Sequence, residues 1–382
     1  MRPLRAMVLA VAVTMVAPGV AAGRLPGTPV PRGFVGMNID GPMLNAQDGV
    51  TLPSQFGLMR SRGVQNIRAV FSWSVAQPYA SWAQVPASQS GGFVNGAGGV
   101  PTDFAGTDQI VAAAAANGMT VLPTVIGAPS WDAGPRTVLG LARPRDNQPY
   151  GWYFSTLIGR YGPHGSFWSQ HPDLPRRPIR MWEAWNEPNL SQFWPTRPWA
   201  PSYVALLRVA HAAIKKADSG AKVVLASLPN YSWRLLLTIY RVPGARRLFD
   251  VVDVHAYTKQ PAGVIQILGF VRTSMKLGRD SNKQMIAGEV GWLSTGRQQS
   301  RRYDFETTEA GQARNARALL PLLAANRRSL RLLGFYWYTW MGDEYQAADP
   351  FNFSGLLSFH SGQVRAKPAL AAFGQVARKI EH

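Results

Sequence analysis

Short apolar runs recur along the whole chain and alternate with longer stretches of helical periodicity. The runs at 33–38, 66–71, 120–126, 179–185, 222–227, 251–255, 284–289 and 333–338 predict strands. Helical patterns fill 53–62, 107–117, 201–217, 264–277 and 310–325. A last helix over 368–380 carries proline near its first turn, as helix starts favour. Alternating strands and helices predict an α/β fold with a parallel sheet, and eight such units predict a (β/α)8 TIM barrel. An open doubly wound sheet fits less well. Its first strand would end in a glycine-rich phosphate turn, whereas here it runs into Asn38-Ile39-Asp40-Gly41-Pro42. One barrel domain is expected over 23–382, with long loops between strands and helices.

The excess length falls at 77–103, 129–177 and 342–361, after the second, third and eighth strands. These positions follow strand C-termini, where barrels of this kind build their sites. Trp73, Tyr79, Trp82, Trp131 and Trp168 in or beside these loops are expected to wall an extended cleft.

The first residues have a different character. Arg2 and Arg5 precede an apolar run from Ala6 to Ala17, and Val20, Ala21 and Ala22 supply small residues for cleavage. This pattern predicts a signal peptide over 1–22 and a secreted, extracellular or envelope-associated protein. No later run is long and apolar enough for a membrane span. The chain has no cysteine, which excludes disulfides and Cys-based metal sites. Its net charge is +19, from 40 Lys+Arg against 21 Asp+Glu, with arginines crowded between Arg297 and Arg331. Attraction to an anionic polymer and a merely solvated basic surface are both open readings. Nucleic acid is not expected as a partner, because no nucleic-acid module is recognisable. No cofactor or metal is expected either: the six histidines are scattered, without ligand spacing.

Two predicted strands end on a glutamate. Ile179-Arg180-Met181-Trp182-Glu183-Ala184-Trp185-Asn186-Glu187-Pro188 runs into proline just after Glu187. Gln284-Met285-Ile286-Ala287-Gly288-Glu289 ends before a Gly-containing turn. By strand count these are the fourth and seventh, so both carboxylates face the same barrel mouth. Two carboxyl groups roughly 5 Å apart can flank a glycosidic bond, one attacking and one protonating the leaving oxygen. The sixth strand places His255 and Tyr257 on one face, and a tyrosine hydroxyl can hold a carboxylate ionised. Arg68 is a charge inside an apolar strand and needs a buried partner. Trp337 and Trp340, on or after the last strand, are both candidates for an indole platform under a sugar ring.

Trp185-Asn186-Glu187-Pro188-Asn189, His255-x-Tyr257 and Gly288-Glu289 together resemble the clan A glycoside hydrolases. The segment from Trp182 to Leu190, followed by Phe193-Trp194, is similar to family 39, and the same core set occurs in the cellulase family, family 5. Family 5 members often carry a histidine after strand three, where this chain reads Thr124-Val125-Ile126-Gly127. Family 39 members often append a β-sandwich, and no segment of this sequence is expected to form one. The resemblance implies a retaining hydrolase of β-linked polysaccharide or oligosaccharide, endo-acting, with exo-action and transglycosylation as alternatives on the same scaffold and a non-catalytic carbohydrate-binding barrel as the alternative from another class. It further implies Glu187 as acid/base, Glu289 as nucleophile and Asn186 as donor to the sugar 2-hydroxyl. Arg68, His255 and Tyr257 would support them.

Overall fold

The structure is a computed structural model that describes residues 29–44, 50–296, 302–345 and 348–380. The signal peptide expected over 1–22 and the start of the arginine-rich stretch lie outside the described residues. Among the described residues no helix is long and apolar enough to cross a membrane.

Eight parallel strands close into a barrel in chain order, the last pairing with the first. They are β1 (Val35–Ile39), β2 (Asn66–Ser72), β3 (Thr120–Ile126), β4 (Met181–Ala184), β5 (Lys222–Leu228), β6 (Val251–His255), β7 (Gln284–Val290) and β8 (Leu332–Trp337). A principal helix follows each strand: α1 (Leu52–Ser61), α2 (Ala105–Ala116), α3 (Gln148–Tyr161), α4 (Trp199–Ala217), α5 (Ser232–Tyr240), α6 (Pro261–Leu277), α7 (Glu309–Leu330) and α8 (Pro368–Ile380). The strand runs read from the sequence coincide with the observed strands to within two residues at every end. Helices α3 and α5 are additions to that reading.

Local chemistry fixes several helix starts. Thr308 caps α7 by accepting from the Gly311 amide at 3.1 Å, and proline opens α6 and α8, where the missing N–H is not needed. Along α8, Ala369, Leu370, Phe373, Ala377 and Ile380 form the buried stripe that seals the ring. Exposed Arg314, Arg317 and Arg328 on α7 point away from the core into solvent.

The excess loop length is folded rather than free. Hairpin strands Val94–Asn95 and Pro101–Thr102 follow β2, and Ala133–Arg136 and Ala142–Pro144 follow β3. After β8, segments Met341–Asp343, Leu357–His360 and Gln363–Ala366 make a small sheet. Fully buried Gln312 ties this region together, its amide donating to the carbonyls of Trp292, Ser354 and Gly355. Loop tips are thereby anchored on the helix layer.

Candidate active site

The barrel interior is layered. Leu122, Val224, Val251, Ile286 and Tyr336 form an apolar plug in its lower half. Above the plug the inward positions become polar: Asn38, Arg68, Thr124, Glu183 and Asp253 are all nearly or fully buried. Above these, at the strand C-termini, stand Asn186, Glu187, His255, Tyr257 and Glu289.

Backbone irregularities aim the two glutamates. Strand alternation would turn Glu289 outward, since Ile286 and Gly288 already face the interior. The β6–β7 register slips between the pairs Asp253↔Ile286 and His255↔Glu289, so β7 carries one extra residue. This bulge returns Glu289 to the inner face. Gly288 is obligatory there: a Cβ would stand 2.1 Å from an Asp253 carboxylate oxygen, and its amide donates to Asp253 Oδ1 at 2.7 Å. On the other wall, Trp185 (φ 83°) and Glu187 (φ 42°) take left-handed backbone that non-glycine residues rarely adopt. Trp185 is held there by its indole, which donates to Phe193 O at 2.9 Å and packs edge-on against Trp194.

Arg68 is the hub. Its Nε donates to Glu183 at 2.8 Å, and its two Nη atoms reach Asn38 Oδ1 at 3.0 Å, Glu289 Oε1 at 2.8 Å and Asn186 Oδ1 at 2.9 Å. Glu183 also accepts from Thr124 Oγ1 at 2.6 Å and from the Ser227 amide at 3.2 Å. The second oxygen of Glu289 accepts from Tyr257 at 2.8 Å. Asn186 Oδ1 accepts from Ser227 as well, at 2.9 Å, so Arg68 and Ser227 both bond this side chain at its oxygen. His255 Nδ1 lies 2.7 Å from Glu187 Oε1 and 3.3 Å from Glu289 Oε2. Oxygens of the two glutamates and a nitrogen of His255 all fall within 4.8 Å of one another.

The two glutamates differ electrostatically. Burial and the neighbouring Glu289 charge push Glu187 well above the usual carboxylate range. Burial also raises Glu289, but Arg68 and the Tyr257 hydroxyl oppose it and leave the carboxyl at about 7. Glu289 is the one equipped to ionise; Glu187 is the one equipped to keep its proton. Burial, then Arg68, depress His255 well below its ordinary value, so the ring is neutral at pH 7. Burial, then Glu183, raise Asp253, which favours its protonated form.

The sequence candidates thus divide. Glu187, Glu289, Asn186, Arg68, His255 and Tyr257 meet in one cluster. Trp337 and Trp340 do not join it, a correction to the expected platform. Trp337 is fully buried against Trp292 and against Phe373 of α8, and Trp340 is fully buried with its indole on Gln55. Tyr338 is instead a half-buried aromatic at the mouth, 6.5 Å from the Tyr257 ring, its hydroxyl donating to Asp40 at 2.7 Å. Phe351, Phe305 and Tyr303 continue this wall. Trp168 and Trp73 are also corrected. Trp168 is buried at the opposite end, donating to the carbonyls of Tyr161 and Gly162, and Trp73 is sealed among Trp131, Tyr150 and Tyr153. Glu183, Asp253, Asn38 and Tyr338 are the site residues that sequence reasoning did not single out.

Glu187, His255 and Glu289 are also the described group with donor atoms close enough to share a metal ion. Arg68 sits 2.8 Å from Glu289 on the same side, and its cation opposes a second positive charge there.

No protein-family model matches the chain, and neither does any curated protein. Solved structures do. A family 39 glycoside hydrolase from Bacteroides cellulosilyticus WH2 superposes with a TM-score of 0.61 at 16% identity, over 90% of this chain and 63% of that one. A family 39 β-xylosidase from Caulobacter crescentus gives 0.62 at 17% identity, over 93% and 73%. The family 53 catalytic domain from Ignisphaera aggregans gives 0.58 at 20%, over 92% and 98%. The chain shares with these glycoside hydrolases the closed (β/α)8 barrel fold. Within this (β/α)8 barrel, the polar cluster occupies the C-terminal mouth, the end at which such barrels carry their chemistry.

Proposed function

We propose that the chain is a retaining glycoside hydrolase acting on β-linked sugars. The observation that carries this reading is the unequal treatment of two carboxyl groups that each place an oxygen within 4.8 Å of the other's. Retaining enzymes hold theirs roughly 5–5.5 Å apart, and inverting ones at least about 6.5 Å apart. Glu289, ionised by Arg68 and Tyr257, attacks the anomeric carbon and forms a glycosyl ester. Glu187 gives its proton to the departing glycosidic oxygen, then takes one from the water that cleaves the ester. His255, neutral and 2.7 Å from Glu187, orients that carboxyl. The Asn186 amide donates to the sugar 2-hydroxyl, and the Tyr338 ring offers an apolar face to the bound sugar.

Endo-action is the preferred mode. A hollow of about 420 Å³ lies past the ends of β2 and β3, lined by Ser74, Gly127, Ser130 and Arg136 among others, and in this reading it takes further sugar units. Secretion through the leader at 1–22 belongs to the same proposal, and N-terminal sequencing of exported protein would check it. The catalytic reading is tested by hydrolysing aryl β-glycosides and polysaccharides and following the first product by NMR. A β-configured first product is expected. An α-configured one would show inversion and remove the retaining assignment.

A further inference from the structure

A second cavity, also about 420 Å³, lies at the opposite end of the barrel. The first residues of β2 to β5 line it, so it opens where the strands begin, away from Glu187 and Glu289. Its walls carry Arg32, Arg177, Arg180 and Lys222, and no acidic residue. The guanidinium ends of Arg32 and Arg177 converge beside Gly118: a Cβ there would stand 3.6 Å and 3.8 Å from their Nη2 atoms.

Little in the protein answers these charges. Arg180 has Asp218 in reach, at 3.8 Å, beyond hydrogen-bond distance. Arg32 makes one long bond to the Gly118 carbonyl at 3.4 Å, and Lys222 donates to the neutral Gln284 at 2.7 Å. Arg177 Nε is buried with no acceptor among the described residues. Like charges around one hollow repel, and a buried N–H without a partner is unfavourable. This end of a barrel ordinarily serves stability, yet this arrangement works against it. A ligand that supplies negative charge and acceptor oxygens would reverse both effects.

We propose that this cavity binds a phosphate monoester. Four cations exceed what one carboxylate neutralises and suit a doubly charged group with several acceptor oxygens. Arginine forks make two-point contacts with phosphate, and lysine adds a point charge. The volume admits a phosphate with a sugar-sized substituent. The site is independent of the hydrolase reading, and neither stands or falls with the other.

The probe is inorganic phosphate, titrated into the full chain by calorimetry at low ionic strength, with glucuronate as the carboxylate comparison. Saturable binding with one phosphate per chain is expected, weakening as salt screens the charges. The dissociation constant should rise at least tenfold in Arg177→Gln and in Arg180→Gln. Their melting temperatures without phosphate should hold or rise, because repulsion is relieved. Lys222→Gln serves if either arginine variant fails to fold. Absence of saturable phosphate binding would overturn the proposal. So would unchanged affinity in the folded variants, which would put the anion elsewhere on the +19 surface. Glucuronate binding as tightly as phosphate would replace the phosphate assignment with a carboxylate one.

Discussion

Deleting one hydroxyl should expose how Glu289 is kept ionised. Tyr257 donates to one of its oxygens at 2.8 Å while Arg68 holds the other at 2.8 Å. In Tyr257→Phe the ring keeps its neighbours Phe305 and Phe351, at centroid distances of 4.9 and 5.5 Å, so packing is preserved. A hydrogen bond to a charged group contributes about 1.5–3 kcal/mol. At about 1.4 kcal/mol per unit, its loss raises the pKa of Glu289 by roughly one to two units. The wild-type carboxyl stands at about 7, lifted by burial and restrained by Arg68 and this hydroxyl. In the proposed reaction attack requires the ionised form, so activity should develop as pH rises through that value. The acid limb of kcat/KM should therefore lie near 7 and move to higher pH in the variant. At neutral pH, where the wild-type carboxyl is about half ionised, the loss should be about 5- to 50-fold, with partial recovery on the alkaline side. Recovery is capped where Glu187, raised well above the usual range by burial and the Glu289 charge, gives up its proton. The assay is aryl β-glycoside hydrolysis from pH 5 to 10. A loss with an unmoved acid limb would refute the role given to Tyr257.

Three further outcomes follow from the same cluster. Glu183→Gln removes the charge beneath Arg68 and leaves a buried cation short of a partner; urea unfolding should show destabilisation of about 3–5 kcal/mol. Gly288→Ala puts a Cβ 2.1 Å from an Asp253 oxygen, so the β7 bulge must shift and kcat should fall by at least about tenfold, read on folded protein. Glu187→Gln removes a carboxyl whose folded pKa is raised, chiefly by burial. In the wild type such a group binds its proton more tightly folded than unfolded, so stability falls as pH rises between those two values. The variant's melting temperature should match wild type in acid and exceed it at pH 8, by at least about 2 °C.

Strand periodicity made most of the barrel legible, because parallel strands buried on both faces read as apolar runs bounded by turns. Helix α3 was hidden by its composition: Gly151, Trp152, Tyr153 and Gly159 are poor helix formers. Its spacing was nonetheless informative, since buried Tyr150, Tyr153, Phe154, Leu157 and Tyr161 form one stripe. The clustering of Glu187, Glu289, Arg68, His255, Tyr257 and Asn186 followed from strand ends and from a charge in an apolar strand. Glu183 and Asp253 carry the same signal as Arg68, a charge amid buried apolar neighbours, and could have been found by it. The tryptophan platform could not be resolved by alternation, because the chain leaves strand geometry after Trp337. That departure brings Tyr338 to the mouth and buries both tryptophans. Likewise, the basic cavity depends on Arg32, Arg177, Arg180 and Lys222 meeting from separate segments, which no local pattern announces.

The most direct test of the central claim is azide rescue of the two glutamate variants on an activated aryl β-glycoside, with the anomeric configuration of each product read by NMR. With the proposed roles, Glu289→Ala lacks the nucleophile, so azide enters the space it leaves and releases the inverted glycosyl azide. Glu187→Ala still forms the glycosyl ester, because an activated leaving group needs little protonation. Azide then cleaves that ester without general-base help and gives the retained glycosyl azide. Retained product from Glu289→Ala, or inverted product from Glu187→Ala, would contradict the assignment of nucleophile and acid/base.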